Sequence, residues 1–176
     1  VVIGNLPMYN KEYYKVYRKK HFGSKISYVQ FLNFPIEDLK ELTIKQLKDN
    51  TPVYIGTNVY KCKDIQSGVL DTRLYNYKET FDLEPLSKEE SLNLLDTFCS
   101  HFMTVAGVNI INEKPQRWKV EDSFGECSRN NGYYIMNDNY FDKFVLFVVI
   151  DKKYLSNEQL ELLNQEPIEI HIDETF

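Results

Sequence analysis

Trp118-Lys119-Val120-Glu121-Asp122-Ser123-Phe124-Gly125 reads as a strand that ends in a polar pair, an aromatic and a glycine. Upstream, Cys99-Ser100-His101-Phe102-Met103-Thr104 lies where a capped helix gives way to an apolar run, 101–111, with Phe102, Val105, Val108, Ile110 and Ile111 in strand-like order. As bare patterns these are a strand-to-turn signal and a satisfied structural histidine. Together they permit more. A carboxylate at a strand end, beside an aromatic lid and across from a histidine on a neighbouring strand, is one way to build a base with an orienting partner. His101 would be that base, although on the residues alone a satisfied structural histidine is the commoner reading. Cys99 is a poor nucleophile for it: in an extended strand, residues two apart point the same way but are separated by roughly 7 Å of rise. The sequence favours buried core positions for Cys99 and Cys62.

Working outward, 118–121 and 133–136 read as further strands, so the second half is a β-meander, and 144–151 reads as a strand buried on both faces. Ser87-Lys88-Glu89-Glu90 and Ser156-Asn157-Glu158-Gln159 are capping boxes. The first starts a helix expected to run to about residue 98, and the second a helix with Leu160, Leu162 and Leu163. Residues 36–50, with Ile36, Leu39, Leu42 and Leu47 at helical spacing and Asn50-Thr51-Pro52 as the stop, form an amphipathic helix. A short buried strand over 53–59 follows, then a surface loop over 61–85. Residues 1–33 show no clear period, although Tyr13, Tyr14 and Tyr17 could share a helical face.

The chain has 176 residues, 43% of them hydrophobic, enough for one core: one domain, or half of a larger one. Its 21 basic against 26 acidic side chains leave a net charge of −5, which argues against nucleic acid as a partner. No run has the length of a membrane helix, so no membrane role is expected. Cys62, Cys99 and Cys127 follow no metal spacing and suit a reducing, cytoplasmic compartment. No phosphate loop, zinc motif or nucleophile elbow occurs, and no cofactor is implied. His21, in Arg18-Lys19-Lys20-His21 with Gly23 after it, reads as a solvated helix end, and His171 as a pendant group on an edge strand. The start at Val1, without methionine, suggests missing upstream residues.

The order of motifs is informative as a whole. Pro35-Ile36-Glu37-Asp38-Leu39-Lys40, Pro52-Val53-Tyr54-Ile55-Gly56, Gly68-Val69-Leu70-Asp71, Leu74-Tyr75-Asn76-Tyr77, Ser100-His101-Phe102-Met103, the stretch from Arg117 to Gly125, Asn131-Gly132-Tyr133-Tyr134 and Gln165-Glu166-Pro167-Ile168 follow one another along the chain. In that order and spacing the chain resembles the C-terminal part of bleomycin hydrolase and bacterial aminopeptidase C, papain-like cysteine peptidases. Weaker similarity, through Tyr9-Asn10-Lys11 and Gly23, extends to the opening residues.

The resemblance implies an α+β, papain-like fold, here its C-terminal half with an antiparallel β-rich core and flanking helices. Residues 1–50 would be an irregular opening segment and amphipathic helix, and 51–176 the β-rich, histidine-bearing half. His101 matches the family histidine that pairs with the cysteine and protonates the leaving amine. Asp122 falls where the family has the asparagine that orients the imidazole, and Phe124 where it has a shielding tryptophan. An aspartate oxygen can accept the imidazole N–H as an amide oxygen does, while its charge favours imidazolium. No stretch of the form Gly-x-Cys-Gly-x-Cys-Trp is present, so the nucleophile is expected in an absent N-terminal half, which becomes a partner. After Glu166-Pro167-Ile168, residues 169–176 depart from the family tail that ends in the cleft at the position of Phe176. The implied function is a cysteine aminopeptidase acting on peptides, hexameric in relatives, with this chain inactive alone. The alternative is a degenerate, non-catalytic relative serving as an assembly or binding module.

Overall fold

In a computed structural model of the chain, residues 1–20, 28–123, 125 and 129–170 are described. The readings placed on His21, Gly23, Phe124, Cys127, His171 and Phe176 lie outside these residues.

The described strands are β1 (Val2–Gly4), β2 (Lys15–Lys20), β3 (Tyr28–Asn33), β4 (Val53–Thr57), β5 (Lys63–Asp64), β6 (Val69–Leu70), β7 (His101–Ile111), β8 (Lys114–Glu121), β9 (Tyr133–Asn137), β10 (Val145–Val149) and β11 (Ile168–Ile170). The helices are α1 (Ile36–Lys48), α2 (Tyr77–Phe81), α3 (Lys88–Asn93), α4 (Asp138–Phe144) and α5 (Asn157–Leu162). All the described strands join one sheet in the order β11-β2-β3-β1-β10-β4-β7-β8-β9-β6-β5. The pairs β1–β3, β2–β11 and β6–β9 are parallel and the rest antiparallel. The expected meander is β7-β8-β9.

The opening residues carry strands, which corrects the irregular reading, and the sheet runs across the boundary expected at 50/51. Tyr13, Tyr14 and Tyr17 share no helical face. Tyr14 turns the chain at φ 61°, and Tyr17 is buried in β2 next to an equally buried Val16. Burial of consecutive residues erases the alternation by which a strand is recognised.

Helix α1 forms as its spacing predicts and lies on β4 and β7. Pro35 precedes it, Glu37 and Asp38 occupy its first turn and Lys45 and Lys48 its last, each favourable to the helix dipole. Leu39 and Leu42 face the core. Gln46 is buried too because its amide works at a chain crossing: Nε2 donates to Pro52 O at 2.9 Å and Oε1 accepts from Asp151 N at 3.0 Å.

Both capping boxes form. Helix α3, however, stops at Asn93 rather than near 98, because Leu95 turns left-handed (φ 58°) and the N–H groups of Asp96 and Thr97 return to Ser91 O. Residues 61–85 are not a plain loop: β5, β6 and α2 lie within them. The buried strand begins one residue later than expected, at Val145. Phe144 closes α4, whose Tyr140, Phe141 and Phe144 are spaced to bury one helical face. Trp118, fully buried, stacks on Phe141 at 4.6 Å and donates Nε1–H to Asp138 Oδ1 at 3.0 Å, tying β8 to α4.

Candidate active site

Strands β7 and β8 run antiparallel with Glu121 opposite Thr104. Asp122 therefore leaves β8 beside the start of β7, where His101 sits opposite Thr57 of β4. His101 Nε2 lies 2.9 Å from Asp122 Oδ1. The two residues singled out from the sequence are thus brought together. The Asp122 side chain is fully shielded, whereas 24% of the His101 side chain remains exposed. The carboxylate backs the ring, and the ring faces the surface.

Backbone bonds hold both partners. Asp122 N–H donates to Gly132 O at 2.8 Å, and Asp122 O accepts from Gly125 N at 3.3 Å. Gly132 has φ 82°, and a Cβ there would meet the Gly125 backbone at 3.0 Å, so this position requires glycine on two grounds. On the histidine side, Ser100 N–H donates to Thr57 O at 3.0 Å, and Ser100 Oγ accepts Val59 N–H at 3.0 Å. Asn58 Nδ2 donates to Thr97 Oγ1 at 2.8 Å. The early end of α3 leaves residues 97–100 outside any helix, so that Thr97 and Ser100 can make these bonds and deliver His101 to the sheet.

Two surface depressions meet at His101. One is bordered by Tyr54, Phe102 and Ser123, the other by Tyr60, Lys63 and Ile65. Tyr54 and Phe102 stack at 5.4 Å between ring centroids, nearly parallel, and both are exposed. Lys63 escapes sequence reasoning, because it lies in the stretch read as loop and belongs to no motif. Its Nζ is 4.0 Å from Asp122 Oδ2 and 4.6 Å from the centre of the Tyr134 ring.

The two described cysteines, Cys62 and Cys99, do not pair with the His101 ring. Cys62 and Cys99 are half-buried rather than core residues, which corrects the expectation. Cys99 precedes β7, and its Sγ points back to His101 O at 3.9 Å. Burial pushes the Cys99 thiol up to about 11 and raises that of Cys62. Both are thereby kept from the thiolate form a nucleophile needs. Cys99 is packed against β4, where a Cβ at Gly56 would meet its Sγ at 2.9 Å.

Asp71, from the Gly68-Val69-Leu70-Asp71 motif, is a structural hub. Arg73 donates to it through Nε at 3.0 Å and Nη2 at 2.7 Å, and the amides of Asn137 and Asn139 donate at 2.6 and 2.7 Å. The Arg73 hydrogen bonds hold its carboxyl well below the usual carboxylate range. Among the described residues, no cluster of three His, Cys, Asp or Glu side chains is arranged to hold a metal ion, and no helix is long and apolar enough to cross a membrane.

Residues 1–175 match the model of the Peptidase C1-like family. Aminopeptidase C of Listeria monocytogenes is 34% identical over 93% of the chain and 38% of its own length. Aminopeptidase G of Lactobacillus delbrueckii subsp. lactis is 38% identical over 97% of the chain and 39% of its own length. The chain thus spans about two-fifths of these curated relatives. The crystal structure of pepw from Lactobacillus rhamnosis HN001 superposes with a TM-score of 0.93 at 34% identity, over 99% of this chain and 40% of that one. This likeness makes the α+β architecture that of a papain-like peptidase. With a family match along nearly its whole length and a solved relative of the same fold, the chain belongs to the Peptidase C1-like family.

Proposed function

We propose that this chain is the histidine-bearing, C-terminal portion, with residues 51–176 as its β-rich half, of a cysteine aminopeptidase that removes N-terminal residues from peptides. The observation that carries the reading is the 2.9 Å contact between Nε2 of the partly exposed His101 and Oδ1 of the buried Asp122. An acceptor on Nε2 places the Nε2–H tautomer in one orientation and leaves Nδ1 as the nitrogen that shares a proton with a thiol. A cysteine from outside this chain attacks the peptide carbonyl as thiolate, and the C–N bond breaks as imidazolium His101 protonates the leaving amine. Water then enters, His101 takes its proton, and the C–S bond of the acyl-enzyme breaks. Asp122 touches no reacting atom in this scheme and acts by positioning His101, its charge favouring the imidazolium.

The raised thiols of Cys62 and Cys99 support a nucleophile from elsewhere and an isolated chain without activity. Their free state suits a reducing, cytoplasmic setting, and self-assembly is proposed from the hexamers of the family. The test mixes the chain with the cysteine-bearing portion of the protein and assays an aminoacyl fluorogenic substrate. Activity should appear only in the mixture and fall by roughly 10²- to 10⁴-fold with His101→Ala. Activity indifferent to that substitution overturns the assignment. Asp122 at the asparagine position favours a second reading, a non-catalytic assembly module, which a mixture that associates without turnover would select.

A further inference from the structure

Asp122 carries a difficulty that an asparagine would not. Its side chain is fully shielded, Oδ1 faces His101, and Oδ2 is buried with no hydrogen-bond partner among the described residues. A buried carboxylate oxygen without a donor is costly unless a counter-charge stands close by. That charge is Lys63. Its side chain is only 15% exposed, its Nζ is 4.0 Å from Oδ2, and the Tyr134 ring lies beneath the ammonium at 4.6 Å. The backbone brings it there deliberately: Cys62 turns left-handed (φ 52°), Cys62 O is held by Asp71 N–H at 3.1 Å, and Lys63 pairs with Leu70 in β5–β6 at the edge of the sheet. Lys63 also borders the same depression as His101.

We infer that Lys63 is a positioning residue of this site, the counter-charge that lets an ionised Asp122 replace a neutral amide as the partner of His101. A primary amide in this place needs no such cation. The carboxylate does, since without Lys63 the cation left beside it among the described residues is the His101 imidazolium. The carboxylate charge would then bear on the ring alone and favour its protonated form. With Lys63 present, the Lys63–Asp122 pair is close to neutral and His101 is left to exchange its proton. Among the described residues, the titratable groups around the pair are Tyr54 from β4, Tyr60 before β5, Lys63 in β5, Cys99 before β7, Glu121 on β8 and Tyr134 on β9. Of these, Lys63 is the cation.

The inference rests on Asp122 being the partner of His101, and its test needs no substrate, so its failure is distinct from failure of the peptidase reading. The His101 ring 13Cε1 resonance is followed against pH in the wild-type chain, K63M, K63R, D122N and the K63M/D122N double variant. K63M should move the midpoint upward by roughly one unit, and K63R should restore it. In the D122N background K63M should have little effect. An unmoved midpoint in K63M, or equal movement in both backgrounds, overturns the inference. If K63M unfolds the chain, D122N must restore folding, because no carboxylate is left to balance. Failure of that rescue overturns it too.

Discussion

Asp122 is wholly shielded from solvent while His101, 2.9 Å away, keeps about a quarter of its side chain in contact with it. The asymmetry separates roles: the buried partner is rigid, and the ring it holds meets whatever enters the depression. Removing the carboxylate should therefore cost stability as well as orientation. Asp122→Ala leaves Lys63 without its counter-charge and His101 without its acceptor and is expected to destabilise by about 3 kcal/mol, against about 1 kcal/mol or less for Asp122→Asn, which keeps the acceptor. Urea unfolding of the two variants checks this. Equal losses would mean that the carboxyl group matters only for packing.

Gly132 accepts the Asp122 N–H and takes a φ that side chains avoid, with no room for a Cβ. Gly132→Ala should lower stability by about 1–2 kcal/mol. It should also displace Asp122, visible as a changed His101 ring resonance. An unshifted ring with normal stability would show that the turn adapts without the site noticing.

Lys88 Nζ donates to Val145 O at 2.6 Å, and burial pushes the ammonium down to about 7, offset in part by Asp142. Its folded value is below the unfolded one, so over the range between about 7 and the ordinary lysine value of 10.5 the unfolded state binds more protons. Stability should accordingly rise with pH through that window. Melting temperatures across it should climb in the wild type and be flatter in Lys88→Met.

Asp71 works in the opposite direction. Its carboxyl, held low by Arg73 and the Asn139 amide, contributes stability that is present above the unfolded carboxylate value and lost as pH falls through the folded one. Asp71→Ala leaves Asn137 and Asn139 without their acceptor. It should cost about 2–3 kcal/mol near neutrality, with the gap to wild type closing in acid. Thermal unfolding at acidic and neutral pH decides it, and a gap independent of pH would assign the loss to packing.

Cys99, its thiol pushed up to about 11 by burial, should react with iodoacetamide much more slowly at neutral pH in the folded chain than after denaturation. Cys99→Ala should leave the activity of the complemented enzyme within about twofold of wild type. Loss of activity without loss of fold would return Cys99 to the list of nucleophiles.

The elements read correctly from the residues are those whose cause is local. The stripe of α1, the two capping boxes and the meander depend on neighbours a few residues away, or on strands adjacent in the chain. The misread elements depend on distant partners. β2 conceals its period because Val16 and Tyr17 are both covered, and α3 stops early because Leu95 turns the chain so that residues 96–100 can bond to β4 and the turn after it.

By itself, the sequence determined the striped and capped helices and the meander, and its ordered motifs carried the resemblance that implied the α+β class, since spacing, capping and residue chemistry are written in the order of the chain. The tertiary structure decided what surrounds the pair of His101 and Asp122. Lys63 reaches Asp122 only through the left-handed turn at Cys62 and the pairing of β5 and β6 at the sheet edge. Contacts of that kind leave no periodic trace, because they arise when strands remote in sequence are laid side by side and buried charges must find their balance across them.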